Sequence, residues 1–252
     1  MHSTNSDDED SKVMASRRAF MVSAAGVAAL MPIPAAMSAP AAAAAPAADA
    51  RPGPPAAQSY GYTLLGPEEA TFVEALVNVM CPADSLTPNG TDCGLAIYID
   101  RQLAGDFGKG GRMYSQGPWI AGKPQQGYQL PLKPAEFFTA GIAAARGVAQ
   151  ARYGKPFEQL SAADADAFLT DIAGGKVTGT RVSLADWFSQ LVYPLFQQAC
   201  FADPVYGGNR DKVFWKMVGF PGLPAFHAQN MVQFRGKPFP GAQKPQSILD
   251  FT

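Results

Sequence analysis

Residues 35–57 hold 13 alanines and 5 prolines in 23 positions, and Met37 is the only large apolar side chain among them. Such a stretch cannot bury enough surface to offset the entropy of ordering it. Whatever this chain of 252 residues folds into is therefore built from what lies downstream. That remainder is electrically neutral: from Tyr60 onward it carries 16 basic and 16 acidic residues. Neutrality argues against a nucleic-acid binder, which needs a basic face, and gives no bulk attraction to an anionic membrane. Over the whole chain only 16% of residues are charged, with 25 glycines and 22 prolines, which points to many loops and some covered surface.

The missing motifs narrow the chemistry. Three cysteines and two histidines are too few for a zinc cluster or a multi-haem protein, and no CxxCH is present for covalent haem. GxGxxG, GxxxxGK[ST] and GxSxG are absent, so dinucleotide, P-loop and hydrolase readings lack their starting point. No metal site and no catalytic group is expected on this chain.

The N-terminus reads Asp7, Asp8, Glu9, Asp10, then Ser16-Arg17-Arg18-Ala19-Phe20-Met21, then a weakly apolar run from Val22 to Met31. The run is shorter than the roughly 20 apolar residues that span a bilayer. Arg17, Arg18 and Phe20 sit as in a twin-arginine export signal, and the Ala/Gly-rich run suits that route. Residues 1–45 are read as the signal, with cleavage open between Ala36, Ala39 and Ala45, and 46–62 as a disordered Ala/Pro tether. The twin-arginine route carries folded proteins, and it serves chains that acquire a cofactor, or bind something that does, before export. This chain shows no cofactor site of its own, which is the first clue to its role.

Downstream, apolar residues recur at helical spacing. Pro67-Glu68-Glu69 opens a helix with a proline and two acids, with Phe72, Ala75, Leu76, Val79 and Met80 after them. Leu95, Ile99 and Leu103 mark a second. Phe138, Ile142, Ala145 and Ala149 mark a third, ending at Gly154. Ser161 and Ser183 each precede an acid by three residues, the pattern of an N-cap, and open helices carrying Phe168, Leu169, Ile172 and then Trp187 to Ala199. Pro194 is expected to kink the latter. A short helix runs from Asp211 to Val218. The stretch from Gly105 to Pro131 has no period and reads as a long loop. Period-two alternation is essentially absent. The expected fold is all-α: a compact bundle of about five to six helices over 63–222 with long irregular loops, and an extended C-terminal tail over 223–252. That tail carries Phe226, Phe234, Phe239, Ile248, Leu249 and Phe251. Disordered segments are poor in aromatics, so it is expected to lie on its own domain or on a partner.

Cys81 and Cys93 flank a turn-rich loop, and an exported chain meets an oxidising compartment. A bridge between them would stabilise the domain by roughly 3 kcal/mol in the chain-entropy model; the other reading is two buried reduced thiols. Cys200 is left over. Asp84, Asn89 and Asp92 miss the EF-hand spacing and read as turn and cap residues. His227 is the one histidine beyond the signal, with no nucleophile elbow beside it.

The most specific stretch runs from Phe201 to Gly222. Asp203-Pro204 and Gly207-Gly208-Asn209 are turn chemistry, ringed by Phe214, Trp215 and Phe220. From residue types alone it is a rigid aromatic-rich turn, either packed for structure or offered as an interaction surface. Asp203-Pro-Val-Tyr-Gly-Gly-Asn209, with Trp215-Lys216 and Gly219-Phe-Pro-Gly222, resembles the C-terminal signature of the gluconate 2-dehydrogenase subunit 3 family. Cys81-Pro-Ala-Asp84 and Tyr98-Ile-Asp-Arg-Gln-Leu103 resemble its N-terminal half, with Tyr98 where that family has phenylalanine. The resemblance spans roughly Glu68 to Gly222.

That resemblance implies a non-catalytic accessory subunit of a membrane-associated sugar or sugar-acid dehydrogenase. FAD is expected on a large partner subunit and haem c on a cytochrome c subunit, with neither on this chain. The chain would reach the periplasm at the inner membrane through the twin-arginine translocase, carrying the flavoprotein, and touch the membrane only through the complex. The family supplies no catalytic residues. The expected partner contacts are Asp203, Tyr206, Gly207, Gly208, Asn209, Trp215, Phe220 and Pro221. Two rival readings are a free-standing periplasmic enzyme built around the Gly-Gly-Asn turn and His227, and a secreted structural protein without a flavoprotein partner.

Overall fold

The computed structural model describes residues 61–252, apart from 115, 121 and 225. The export motif Arg17, Arg18 and Phe20, and the tether through residue 60, lie outside the described residues. The described part of the chain is helical, in line with the expected all-α class. The principal helices are α1 (Pro67–Met80), α2 (Leu95–Ala104), α3 (Pro134–Tyr153), α4 (Ala162–Ala173), α5 (Leu184–Trp187), α6 (Tyr193–Phe201), α7 (Val213–Val218) and α8 (Ala228–Gln233). Among the described residues no strand forms; the nearest approach to one is a single bridge between Gly222 and Gln246.

The starts of these helices stem from local chemistry. α1 and α3 each open on a proline, and Glu69 and Glu136 reach back to the N–H groups of Gly66 and Lys133, both at 2.9 Å. Ser161 and Ser183 accept the N–H of Asp164 and Asp186, as their spacing suggested. α5 and α6 are one run joined by a π turn, Phe188–Val192. Pro194 has no N–H to give and its ring would crowd the carbonyl four residues back; the wider turn just before it makes room.

The core is aromatic. Trp187 is fully buried, donates its indole N–H to the Phe138 carbonyl at 3.1 Å, and lies beside Phe72 and Phe138. It fits because position 141 is glycine: a Cβ there would collide with the indole ring. Phe72, Phe157 and Phe168 continue the stack toward α4, with centroids 4.9 and 5.9 Å apart. The stripes read from sequence on α2, α3 and α4 are buried; on α1 the face is Phe72, Val73, Leu76 and Val77, rotated slightly from the expected one. α2 packs along α6, and this pair underlies the segment beyond residue 201.

One buried charge ties the entry of the domain. Asp100, 1% exposed on α2, accepts the backbone N–H groups of Thr63, Leu64 and Leu65 at 2.6, 2.9 and 2.9 Å. A carboxylate taken out of water needs such donors, and three of them make the site favourable.

The tail beyond residue 222 differs from a simple extended strand. It forms α8 and short turns at Pro240–Gln243 and Ile248–Phe251, then returns to the domain. Leu223 N–H donates to the Gln246 carbonyl at 2.9 Å, and Gln246 N–H to the Pro221 carbonyl at 3.0 Å.

Candidate functional site

The Asp203–Gly222 segment is assembled by close backbone approaches that only particular residues allow. Gly94, at φ +78°, faces the Gly207 carbonyl so closely that a Cβ would collide with it. A side chain on Gly208 would strike the Ala199 carbonyl of α6. The Arg210 N–H donates to the Cys93 carbonyl at 3.0 Å, and its guanidinium to the Asp92 carbonyl at 3.2 Å. The turn is thus seated on the α1–α2 connection and the end of α6.

Asn209 is the pivot. It is fully buried and left-handed (φ 46°); its amide donates to the Ala202 carbonyl at 3.1 Å and its Oδ1 accepts the Phe214 N–H at 3.0 Å. Asn tolerates this conformation better than most residues. Asp211 and Lys212 come next at φ 57° and 58°, which costs on the order of 1 kcal/mol or more each and persists only where surroundings over-determine it. Here the surroundings include the C-terminus. Lys212 Nζ donates to the Pro245 carbonyl at 3.1 Å and to both Asp250 carboxylate oxygens at 2.7 and 2.5 Å. That partnership holds the Asp250 carboxyl below the usual carboxylate range.

Asp203 works in two directions. Its Oδ1 accepts the Val205 N–H and its Oδ2 the Ile248 N–H, both at 3.0 Å. Trp215 is buried, with its indole N–H on the Phe201 carbonyl at 2.8 Å and Phe220 edge-on to its ring at 5.1 Å. Gly222 is also left-handed, and a Cβ there would collide with the Gln246 carbonyl.

The eight expected contact residues therefore divide. Gly208, Asn209 and Trp215 are buried and hold the turn; Asp203, Gly207 and Pro221 are partly covered. Tyr206 and Phe220 are 51% and 42% exposed, and so are free to meet another surface. Other apolar side chains left in water on these segments include Phe201, Met217, Val218, Ile248, Leu249 and Phe251, none of them among the eight.

His227 sits between Gly222 and Asn230: Nε2 lies 3.0 Å from the Gly222 carbonyl and Nδ1 3.1 Å from the Asn230 amide, so both ring nitrogens are engaged. Asp84 and Asn89 close the loop ahead of α2 through N–H groups of Leu86, Thr87 and Asp92, the turn roles expected of them. The expected Cys81–Cys93 bridge is not formed: Cys81, Cys93 and Cys200 are all buried free thiols. Spacing along the chain does not fix the Cβ distance and direction that a bridge requires; in the fold both sulfurs face the Pro88 carbonyl, at 3.7 and 3.6 Å. Sequence reasoning also missed an open cleft of about 630 Å³ between the long loop and the π turn, lined by Phe107, Met113, Tyr128, Gln190 and Leu191. Burial pushes the Tyr128 phenol there up to about 12. Among the described residues no group of three or more His, Cys, Asp or Glu is placed to hold a metal ion, and no helix is long and apolar enough to cross a membrane.

The family model described as gluconate 2-dehydrogenase subunit 3 matches residues 67–222, from the first residue of α1 to the left-handed glycine that closes the turn. The chain belongs to the gluconate 2-dehydrogenase subunit 3 family. No curated protein and no solved structure matches it. The family's match ends at Gly222, so the returning segment that Asp203 and Lys212 bind lies outside it. Membership makes the chain an accessory subunit of an oxidoreductase complex.

Proposed function

We propose that the chain is the non-catalytic small subunit of a periplasmic, membrane-associated, FAD-dependent dehydrogenase for gluconate or a related sugar acid. Its role is to bind the flavoprotein subunit, accompany it through the twin-arginine translocase and stabilise it afterwards. FAD then belongs to the large subunit and haem c to a cytochrome c subunit, and substrate oxidation takes place in the flavoprotein.

The observation that carries this reading is the match across residues 67–222 to a family of subunits rather than of whole enzymes. Two features of the chain support it. Arg17, Arg18 and Phe20 have the spacing of an export signal, and no dinucleotide fingerprint accompanies it. The exposed Tyr206 and Phe220 supply aromatic anchors of the kind enriched in protein interfaces.

The test is export of the pair. Replacing Arg17 and Arg18 by lysine should strand both this chain and the flavoprotein in the cytoplasm. A flavoprotein that still reaches the periplasm would contradict the carrier role.

A further inference from the structure

The neutral charge of the domain conceals an uneven distribution. Residues 60–211 carry 11 basic and 15 acidic side chains. Residues 212–249 carry five basic ones, Lys212, Lys216, Arg235, Lys237 and Lys244, and no acid. Lys212 is paired with Asp250. The other four are exposed, and among the described residues none of them forms an ion pair. The segment that ends the chain is therefore electropositive, with no acid of its own to cancel the four.

The same segment leaves bulky apolar groups in water. Phe226, Met231 and Val232 are 80%, 69% and 79% exposed; among the described residues Phe226 and Val232 are the most exposed large apolar side chains. Phe226 precedes the N-cap His227 and Met231 is the fourth helical residue of α8, two positions that lie together at a helix start, and Val232 follows directly. This apolar tip stands on a held helix. His227 and Phe234 pack edge-on to Phe239, with ring centroids 6.2 and 5.1 Å apart, and both His227 ring nitrogens are engaged. The cations surround the tip in sequence: Arg235 and Lys237 come just after α8, and Lys244 follows the Pro240–Gln243 turn. That turn also meets the end of α7, where a Cβ on Gly219 would lie 3.7 Å from the Ala242 side chain.

An apolar tip flanked by cations without acids is suited to a surface of lipid phosphates. The apolar side chains enter the boundary between headgroups and acyl chains, and the cations stay at the level of the phosphates. A protein partner fits less well, because the cores of protein interfaces are depleted in lysine. The Tyr206 surface lies within the residues matched to the subunit family, whereas α8 and its flanking cations lie beyond them.

We propose that the segment beyond Gly222 is a second docking surface, whose occupant is an anionic phospholipid membrane. Phe226, Met231 and Val232 enter the headgroup region, and Arg235, Lys237 and Lys244 lie against lipid phosphates. The contact is peripheral: among the described residues no helix is long and apolar enough to cross a membrane. It departs from the expectation that the chain touches the membrane only through the complex. It does not rest on the identity of the protein that the Tyr206 surface binds, so its test needs no flavoprotein.

The test is co-sedimentation of the purified full chain with vesicles, either of phosphatidylcholine alone or with half the lipid replaced by phosphatidylglycerol. Binding to the anionic vesicles should be at least tenfold tighter, and 0.5 M salt should release most of it. Arg17, Arg18 and the apolar run behind them can hold vesicles themselves, so variants of the tail decide. A chain with Arg235→Gln, Lys237→Gln and Lys244→Gln should bind anionic vesicles at least tenfold more weakly, and so should one with Phe226→Ser, Met231→Ser and Val232→Ser. Both should melt within about 2 °C of the parent, since the altered side chains are exposed. A Val232→Trp chain should show a blue-shifted emission on anionic vesicles. Equal binding to the two kinds of vesicle, binding that the tail variants leave unchanged, or a tail that captures a protein partner but no vesicles would each overturn the proposal.

Discussion

The carboxylate of Asp203 accepts the backbone N–H of Ile248 at 3.0 Å, joining the first residue of the signature turn to the end of the chain 45 positions later. The other carboxylate oxygen caps the turn itself through Val205. One side chain therefore serves both the family's turn and the segment that folds back over it. Replacing Asp203 with alanine leaves two N–H groups without an acceptor. Hydrogen exchange at Ile248 should accelerate roughly tenfold or more, the scale of a charged hydrogen bond of about 1.5–3 kcal/mol. An unchanged exchange rate at Ile248 would mean the tail is held elsewhere.

The second clasp, Lys212 with Asp250, depends on pH in a defined direction. The hydrogen bonds from Lys212 lower the Asp250 carboxyl, so its contribution is present above the unfolded carboxylate value of about 3.9 and fades as pH falls through the lower, folded value. Proteolysis of the C-terminal segment should be flat between about pH 5 and 8 and should rise only below about pH 4. Release of the segment near neutrality would contradict the pairing.

Two glycines make a matched pair of tests. Gly94 is left-handed and faces the Gly207 carbonyl, so Gly94→Ala should destabilise by about 2 kcal/mol or more. Gly147 lies inside α3 with open space where a Cβ would go, so Gly147→Ala should stabilise by about 0.5–1 kcal/mol. Thermal melts of the two variants should move in opposite directions.

Tyr206 and Trp215 separate binding from folding. Tyr206 is half exposed, so Tyr206→Ala should leave the melting point within about 2 °C yet weaken capture of the flavoprotein about tenfold. Trp215 is buried and hydrogen-bonded to the Phe201 carbonyl, so Trp215→Ala should cost about 3–5 kcal/mol of stability whether or not a partner is present. Equal effects of the two on melting would remove Tyr206 from the interface.

These tests reach different depths of what could be read from residues in order. Helix faces and caps are local. Phe168, Leu169 and Ile172 announce their face by spacing, and Ser161 and Ser183 their caps by the acid three residues on. The disturbance at Pro194 was legible as well, but not its form, because a π turn is selected by how α5 and α6 pack. The clasps were not legible. Asp100 meets Thr63–Leu65 and Asp203 meets Ile248 across 35 to 45 positions, and no periodicity records such a pairing. Gly141 likewise reads as a weak helix residue until Trp187 is placed against it. In the signature stretch the residue types were legible as a rigid aromatic turn, while the division between buried Asn209 and exposed Tyr206 required the fold.

The most direct measurement of the central claim is purification of this chain from solubilised membranes, with flavin and haem spectra and sugar-acid turnover recorded on the complex and on the chain alone. The account predicts that flavin, haem and activity travel with the co-purifying subunits, and that the separated chain has none of them. Turnover by the separated chain, or a prosthetic group bound to it in stoichiometric amount, would contradict the account.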